Sequence, residues 1–398
     1  FSINTSALTK IKLKYNFSQN MIYVNDDNID GPWDGTKNNP YRYLQDALEF
    51  VKENSTIFIH QGMYYSSGSN EINIKKSVKL IGENKHKTII TLDSGLDHVI
   101  KISAKYVTIK NLTIDNAIKG ITGKGDFFSI KNSIISNNLD GINLVSSSNI
   151  LISNCKILDN FDGISLQTCP NSNISNNHIK SNLRAIRISK SSDNSKIYNN
   201  IIEKNQESGI TISRSDNNQI INNKLHKNSK GIWGEALYFY KSSRNIISKN
   251  SIYKNECNGI VFCNSCKYNK ILKNTIEDNI HNSDGNYFYG LSFFENSNYN
   301  LIYHNSFINN NHLTLSHDAY DCCDNQWYNS SINEGNYWSN FYSLDKNKDD
   351  ICDNPYCIKG GNNKDFYPLK NPIVKNTKNK LENNYFEIFI DFFKILFL

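Results

Sequence analysis

Two arginines and two aspartates at related positions are the residues of this chain best suited to acid–base chemistry. Arg184 and Arg187 lie three residues apart, and Asp140 and Asp162 precede Arg184 at steps of 22 residues. Arginine binds the carboxylate of an acidic sugar, and a nearby base could remove the α-proton, as in a lyase or an epimerase. The interpretation that we favour is a column of surface Asp–Arg ion pairs, which requires no catalysis.

A second group combines aromatic rings and carboxylates in two segments that are longer than the corresponding segments elsewhere. Its members are Trp233, Glu235, Tyr238, His281, Asp284, Tyr287 and Tyr289. Aromatic faces beside a few carboxylates suit a carbohydrate-binding cleft, and insertions on one face of a repeat protein often bind ligands. The alternative is a pair of corner loops whose aromatic side chains only pack.

An oxygen-rich segment near the C-terminal end has the spacing of a calcium loop. Its possible ligands are the side chains of Asp345, Asn347, Asp349 and Asp353 and the carbonyl group of Ile351. They stand at positions 1, 3, 5, 9 and 7 of such a loop. Two residues depart from the pattern, because Asp350 replaces the turn glycine and Tyr356 replaces the closing glutamate. We expect a structural Ca²⁺ here, and the alternative is an acidic turn.

Potential ligands for softer metals are dense just before this loop. They are His312, His317, Asp318, Asp321, Cys322 and Cys323. Copper or zinc is less favoured than calcium, because the chain has no Met-rich or His-rich run. The two adjacent cysteines could instead form disulfides with Cys352 or Cys357, as in an exported protein. Cys263 and Cys266 form half of a zinc motif that has no second half.

The composition narrows the class of fold that must position these residues. The 398 residues include 65 Asn and six Pro, and the formal net charge is +6. Asn prefers caps and turns to helix interiors, which disfavours a helical bundle. No block of Lys and Arg indicates a nucleic-acid partner. No run of 18 apolar residues indicates a full membrane span.

The chain repeats a unit that reads Ile-x-Asn-x-x-Ile-x-x-Asn and then Gly-Ile-x-Ile. The first isoleucine stands at Ile109, Ile130, Ile152, Ile174, Ile197, Ile220, Ile247, Ile271 and Ile302. Each unit holds short alternating strands separated by Asn, Gly and Ser. One unit cannot bury its apolar side alone, but stacked units can. The spacing resembles right-handed parallel β-helix repeats with three strands per coil, so we predict an all-β solenoid over 57–316.

The asparagines keep fixed places within the repeat. One column is Asn138, Asn160, Asn182, Asn205, Asn228, Asn255, Asn279 and Asn310. Another is Asn177, Asn200, Asn223, Asn250, Asn274 and Asn305. Since coils stack about 4.8 Å apart, we predict that the amides hydrogen-bond along each column as Asn ladders. We also expect these residues to adopt the left-handed backbone of the coil corners.

The two ends of a solenoid expose strand edges and require caps. Within 23–56, a helix over 43–53 would place Leu44, Ala47, Leu48 and Val51 on one face and cover the first coil. Residues 1–22 are then an N-terminal arm, and 317–370 form the C-terminal cap.

The C-terminal segment 371–398 reads as a linker followed by a hydrophobic tail. The linker over 371–384 is rich in Lys and Asn, and the tail over 385–398 is too short to cross a membrane as a helix. Three roles are open for the tail: an extra end cap, a sorting signal, and an anchor to a membrane, a surface or a partner. We favour the anchor.

Both predicted caps carry a family resemblance. The N-terminal segment reads Tyr-Val-Asn-Asp-Asp at 23–27 and Gly-Pro-Trp-Asp-Gly-Thr at 31–36. The C-terminal segment reads Gly-Asn-Tyr-Trp-Ser-Asn-Phe-Tyr at 335–342 and Asp-Phe-Tyr-Pro-Leu at 365–369. With the repeat, they resemble the NosD-like β-helix family, especially its archaeal cell-surface members, over roughly 22–370. The resemblance implies an exported protein, and copper handling in a periplasm-like space is one function that it implies.

Three functions remain open at this stage. The leading hypothesis is a secreted or cell-surface β-helix that binds a polysaccharide, a cell-surface glycan or another surface polymer without catalysis. The second is a polysaccharide lyase, hydrolase or epimerase that acts on the exposed strand face. The chain lacks the Asp-Pro-His-Glu and Gly-His-Gly motifs of such enzymes, which places this function second. The third is periplasmic copper handling.

Overall fold

The structure is a computed structural model that describes residues 20–68, 71–229, 234–279, 288–310 and 318–373. It divides into two compact units, Phe1–Cys169 and Pro170–Leu398. Within each unit, successive coils add short strands to three parallel sheets. The predicted all-β parallel solenoid is therefore confirmed.

In the first unit, the strands of each sheet come from successive coils and pair in parallel. The first sheet contains Met21–Val24, Ser55–Ile59, Val78–Gly82, Thr108–Lys110, Ser129–Lys131 and Leu151–Ser153. The second contains Gly62–Ser67, Thr88–Ser94, Thr113–Asp115, Ile134–Ser136 and Lys156–Leu158. The third contains Ile72–Ile74, His98–Ile102, Lys119–Gly123, Asp140–Val145 and Asp162–Gln167. The first sheet begins before the predicted start at residue 57, because Met21–Val24 pairs with Ser55–Ile59.

In the second unit, the same three-sheet arrangement is found. The first sheet contains Asn173–Ser175, Lys196–Tyr198, Gln219–Ile221, Ile246–Ser248, Lys270–Leu272 and Leu301–Tyr303. The second contains His178–Lys180, Ile201–Glu203, Lys224–His226, Ser251–Tyr253, Thr275–Glu277, Ser306–Ile308 and Tyr337–Trp338. The third contains Arg184–Ser189, Ile210–Ser213, Leu237–Tyr240, Ile260–Cys263, Leu291–Phe293 and Ala319–Asp321. Tyr356–Cys357 and Lys364–Asp365 form a separate antiparallel pair.

Isoleucine columns form the core, because alternate strand residues point inward. Ile109, Ile130 and Ile152 stand in register in the first unit. A column from Ile174 to Ile302 does the same in the second unit. All are at most 1% exposed. Burial of each side chain stabilises the fold by roughly 2 kcal/mol, so stacking supplies the burial that a single coil lacks.

The predicted Asn ladders are present within each unit. Asn138 donates from its backbone N–H and its Nδ2 to Oδ1 of Asn160, at 3.0 Å in both cases. In the second unit, ladders run from Asn182 to Asn310 and from Asn177 to Asn305. The expected left-handed backbone of these residues was wrong. The positive φ belongs to the residue immediately before each ladder position, because that residue turns the corner while the ladder side chain points inward.

The helix near the N-terminal end is shorter than predicted. It spans Leu44–Phe50 and packs on strands Met21–Val24 and Ile72–Ile74 through Leu44 and Ala47. It stops there because Val51 adopts an extended ψ of 141°, although the Val51 side chain is still buried. No helix among the described residues is long and apolar enough to cross a membrane. The tail over 385–398 lies outside those residues.

Candidate functional site

The third sheet of the second unit presents a surface that combines cations with aromatic rings. Arg187, Thr211 and Tyr238 stand in register on successive strands and point outward, because Ile186, Leu237 and their in-register partners are buried. Arg187 is exposed, and the other two are half-buried. These three residues and the adjoining corner cations form what we call the third-sheet surface.

The corner cations line the edge where the third-sheet strands end. Arg214 and Lys241 both adopt a left-handed backbone, with φ of 50° and 48°. The Arg214 guanidinium lies 6.0 Å from the ring centroid of Tyr240, and the Lys241 ammonium lies 5.4 Å from it. Each such contact contributes about 0.5–1 kcal/mol at an exposed site. The ring therefore holds two positive charges beside the outward face of the sheet.

The acid–base candidates fall into different units. Asp140 and Asp162 stand in register in the first unit, where Asp140 accepts a hydrogen bond from Asn143 at 2.5 Å. In the second unit, Nε of Arg184 lies 4.0 Å from the Glu207 carboxylate. Catalysis by these four residues stays a prediction.

The structure brings two of the predicted ligand residues together through Asn258. Its Nδ2 donates to Oε1 of Glu235 at 3.2 Å, and its Oδ1 accepts from the backbone N–H of Tyr289 at 2.7 Å. Tyr289 is only 5% exposed, and its ring is covered by Tyr320 at 5.3 Å. The other predicted ligand residues of these segments lie outside the described residues; they are Trp233, His281, Asp284 and Tyr287.

Glu235 is the most perturbed carboxyl group near the third-sheet surface. Burial raises its pKa to about 8, although the hydrogen bond from Asn258 acts in the opposite direction. Its Oε2 is inaccessible and has no hydrogen-bond partner among the described residues. Burial also raises the pKa of the Tyr238 hydroxyl and of the Cys257 thiol. At neutral pH Glu235 is therefore largely protonated, which is the state that a general acid requires.

The side chains of the oxygen-rich loop accept hydrogen bonds from backbone N–H groups of the same loop. Asp345 accepts from the N–H groups of Asp349 and Asp350 at 3.2 and 3.3 Å, and the Lys370 ammonium lies 3.2 Å from its Oδ2. Burial raises the pKa of Asp345, but Lys370 and the loop N–H groups outweigh it and lower the pKa overall.

The remaining predicted oxygens lie at the surface of the same loop. Asp349 accepts from the N–H of Ile351 at 3.0 Å, and the Nδ2 of Asn347 donates to Asp349 at 2.9 Å. Asp353 accepts from the N–H of Lys346 at 3.2 Å. Hard oxygens in a turn suit Ca²⁺, whereas Lys370 is a cation that would compete with it, so the calcium site stays a prediction.

The residues predicted to bind copper or zinc have structural partners. Asp318 accepts from the N–H of Asn310 at 2.8 Å, and Asp321 accepts from the indole of Trp327 at 2.8 Å. His312 and His317 lie outside the described residues, which contain no group of three His, Cys, Asp or Glu side chains arranged to hold a metal.

The alternative disulfides are absent. Cys322, Cys323, Cys352 and Cys357 all have free thiols. Cys322 instead directs its Sγ to the carbonyl oxygen of Phe293 at 3.4 Å.

One cavity was missed by the sequence analysis. It measures about 760 Å³ and lies between a corner of the second unit, the turn after Trp327 and the strand Lys364–Asp365. The cavity is lined mainly by aromatic, amide and hydroxyl side chains; they include Tyr268, Tyr299, Tyr328, Phe366, Gln326, Asn329, Ser330 and Asn362. The charged residues Asp324 and Lys364 also line it. We call it the C-terminal cleft. The signal in the sequence was Tyr268 and Tyr299, which occupy the left-handed corner position that Asn217 holds two coils before Tyr268.

Comparisons with known proteins agree with this fold. The model of the NosD family, described as periplasmic copper-binding protein (NosD), matches residues 53–287 and 233–343. A comparison with curated protein sequences gave no match.

Solved structures with similar folds include two carbohydrate-active proteins. The A-module of mannuronan C-5 epimerase AlgE6 from Azotobacter vinelandii has a TM-score of 0.57 and 15% identity, covering 76% of this chain and 93% of that chain. DFA-IIIase from Arthrobacter chlorophenolicus A6 has a TM-score of 0.55 and 12% identity, covering 76% and 84%. At these identities the likeness shows the fold alone. The family match extends over most of the solenoid, and the chain belongs to the NosD family.

Proposed function

We propose that this protein binds an acidic polysaccharide on the third-sheet surface, without cleaving it, in an extracellular or periplasm-like space. The observation that carries the proposal is a set of cations and rings on one sheet: Arg187 stands in the outward column that contains Tyr238, and the corner cations Arg214 and Lys241 lie against the ring of Tyr240. Cations bind the carboxylates of a uronate polymer, and aromatic faces pack against sugar rings. A surface that runs along successive coils suits an extended polymer, because stacked coils place their outward side chains at a fixed spacing.

The test is titration calorimetry with oligomannuronate and oligogalacturonate at low and moderate salt. We expect binding that weakens as salt is added. Arg187→Ala should weaken binding by roughly tenfold, since losing one such contact costs about 1 kcal/mol or slightly more. Lys196→Ala is the matched control, because Lys196 is an exposed cation on the first sheet of the same unit. An equal loss in both variants, or no binding of either oligomer, would contradict the proposal.

One observation favours catalysis as a second candidate. Burial raises the pKa of Glu235 to about 8 near this surface, so its protonated form could serve as a general acid on a bound polymer. The same incubations are therefore followed for shortened, unsaturated or epimerised product. Product that Glu235→Gln abolishes, while the oligomer still binds, would replace the proposal of simple binding by one of catalysis.

The description of the family also suggests copper handling as a function. Its proteins are described as copper-binding, and His312 and His317 lie outside the described residues. Stoichiometric copper in protein purified without chelators, lost in His312→Ala, would move the proposal from polysaccharide binding to copper handling.

A further inference from the structure

The C-terminal cleft has a shape and lining different from those of the third-sheet surface. Its volume of about 760 Å³ lies within the ~300–1,000 Å³ typical of ligand sites. Its charges of opposite sign, Asp324 and Lys364, balance each other, and the rest of its polar lining consists of amides and hydroxyls. Such groups both donate and accept hydrogen bonds, as sugar hydroxyls do. The lining therefore favours an uncharged polyhydroxyl ligand over a uronate.

The aromatic wall provides the apolar half of such a site. Tyr268 and Tyr299 stack with centroids 5.6 Å apart and planes 19° apart, and the Arg244 guanidinium lies 5.7 Å from the Tyr268 ring. Both tyrosines are 53% exposed. Both rings border the cavity, but Tyr268 has neighbours along the column on both sides, whereas Tyr299 is the last ring of the stack.

Two further rings of the lining come from other segments of the chain. The rings of Tyr328 and Phe366 meet edge to face at 5.5 Å, and Phe366 is 52% exposed. The turn that carries Asn329 is closed by paired backbone hydrogen bonds with Glu334, and Ser331 donates to Oδ1 of Asn329 at 3.0 Å. Exposed rings from separate segments therefore line, together with amides, a cavity large enough for one or a few pyranose rings.

We propose that the C-terminal cleft binds a neutral oligosaccharide, with a sugar ring packed on Tyr299 and hydroxyl groups held by the side-chain amides of the cleft. This site goes beyond the third-sheet surface, because it selects a different charge class of sugar. A chain with both sites would hold an acidic and a neutral glycan at the same time.

The test is titration of the full chain with neutral oligosaccharides, namely manno-, cello- and xylo-oligomers, and with oligogalacturonate. At least one neutral series should bind, and Tyr299→Ala and Phe366→Ala should each weaken it by about tenfold or more. Because the bound sugar is uncharged, its affinity should barely change between low and moderate salt.

The matched control is Tyr106→Ala in the first unit. Tyr106 holds the equivalent left-handed corner position, is 58% exposed, and stacks on Phe127 at 4.7 Å, but it does not line this cleft. It should leave the affinity unchanged. The proposal is overturned if no neutral oligomer binds, if Tyr106→Ala weakens binding as much as Tyr299→Ala, or if oligogalacturonate competes for the cleft. If the cleft proposal fails but oligogalacturonate still binds, and Arg187→Ala weakens that binding, the third-sheet proposal still stands.

Discussion

The ladder asparagines show how much a single side chain contributes to this fold. Asn223 is 1% exposed and accepts two hydrogen bonds on Oδ1, from the N–H and the Nδ2 of Asn200. Its own Nδ2 donates to the carbonyl of Ile197 and to Oδ1 of Asn250, at 2.8 and 3.1 Å. One amide therefore satisfies two buried backbone groups on the preceding coil and bonds the ladder amide of the following coil, in a buried position where water cannot replace it.

The first prediction compares two neighbouring asparagines. Asn223→Ala should lower the free energy of unfolding by roughly 2–4 kcal/mol, because buried donors and acceptors on two coils lose their partners. Asn222→Ala should lower the free energy of unfolding by only about 1–2 kcal/mol, because Asn222 is exposed and the main cost is that alanine disfavours the left-handed backbone there. Urea denaturation followed by circular dichroism measures both. Equal costs would show that the corner conformation, not the ladder, makes asparagine necessary.

At the scale of the elements, the sequence pattern predicted the repeated strands and their register, but it did not predict the features that occur only once. The register of the strands follows from inward isoleucines and asparagines, because a slip of one residue would turn every apolar side chain outward. The helix ends at Phe50, and the Val51 side chain is buried although its backbone is extended, so the burial of Val51 did not require a longer helix. The C-terminal cleft could not be predicted, since Tyr299, Gln326 and Phe366 come from three separate segments. The perturbation of Glu235 likewise depends on burial that no local pattern reveals.

The oxygen-rich loop over 345–353 provides the prediction that belongs to this scale. If the loop binds Ca²⁺ as we propose, calorimetry should detect Ca²⁺ in preference to Mg²⁺, and saturating Ca²⁺ should raise the melting temperature by a few degrees. Asp349→Ala should weaken binding because it removes a ligand. Lys370→Ala should strengthen binding, because it removes the ammonium 3.2 Å from Asp345. Absence of a Ca²⁺ signal, or weaker binding in Lys370→Ala, would leave an acidic turn.

At the scale of the whole molecule, the final coils must end the ladders without a following coil. Three ladders of the second unit end on buried carboxylates: Asn310 on Asp318, Asn325 on Asp321, and Asn336 on Asp365. A carboxyl group suits this position because its oxygens accept the hydrogen bonds of the last ladder amides. Gly335 permits the approach, since a Cβ there would stand 1.8 Å from Oδ1 of Asp365. The terminus is thus satisfied internally, but at the cost of burying ionisable groups.

That burial makes the stability of the molecule depend on pH. Asp365 is 0% exposed and accepts from the Trp338 indole at 3.0 Å, and burial raises its pKa to about 7 from an ordinary value of 3.8. Burial raises the pKa of Asp321 to about 6. Between about pH 4 and pH 7 the folded chain therefore holds protons that the unfolded chain has released, so stability falls as the pH rises through this window.

Because stability falls as the pH rises, the pH dependence of unfolding can be tested directly. The chain should be more stable at pH 5 than at pH 8, with Asp365 accounting for up to about 3 kcal/mol of the difference, because only the two pH units between 5 and its raised pKa of about 7 fall within this comparison. Asp97 and Asp126, whose pKa values are lowered to about 2 mainly by hydrogen bonds, lose their contribution only below about pH 4, so they do not reverse this trend. Asp365→Asn should reduce the difference between the two pH values even if it lowers stability at both, and exposed Asp324→Asn should not. Urea denaturation of the unchanged chain and of the two variants at pH 5 and pH 8 measures these differences in stability. Greater stability at pH 8, or an unchanged difference in Asp365→Asn, would show that the terminal carboxylate is ionised throughout and that the ladder ends on a charge.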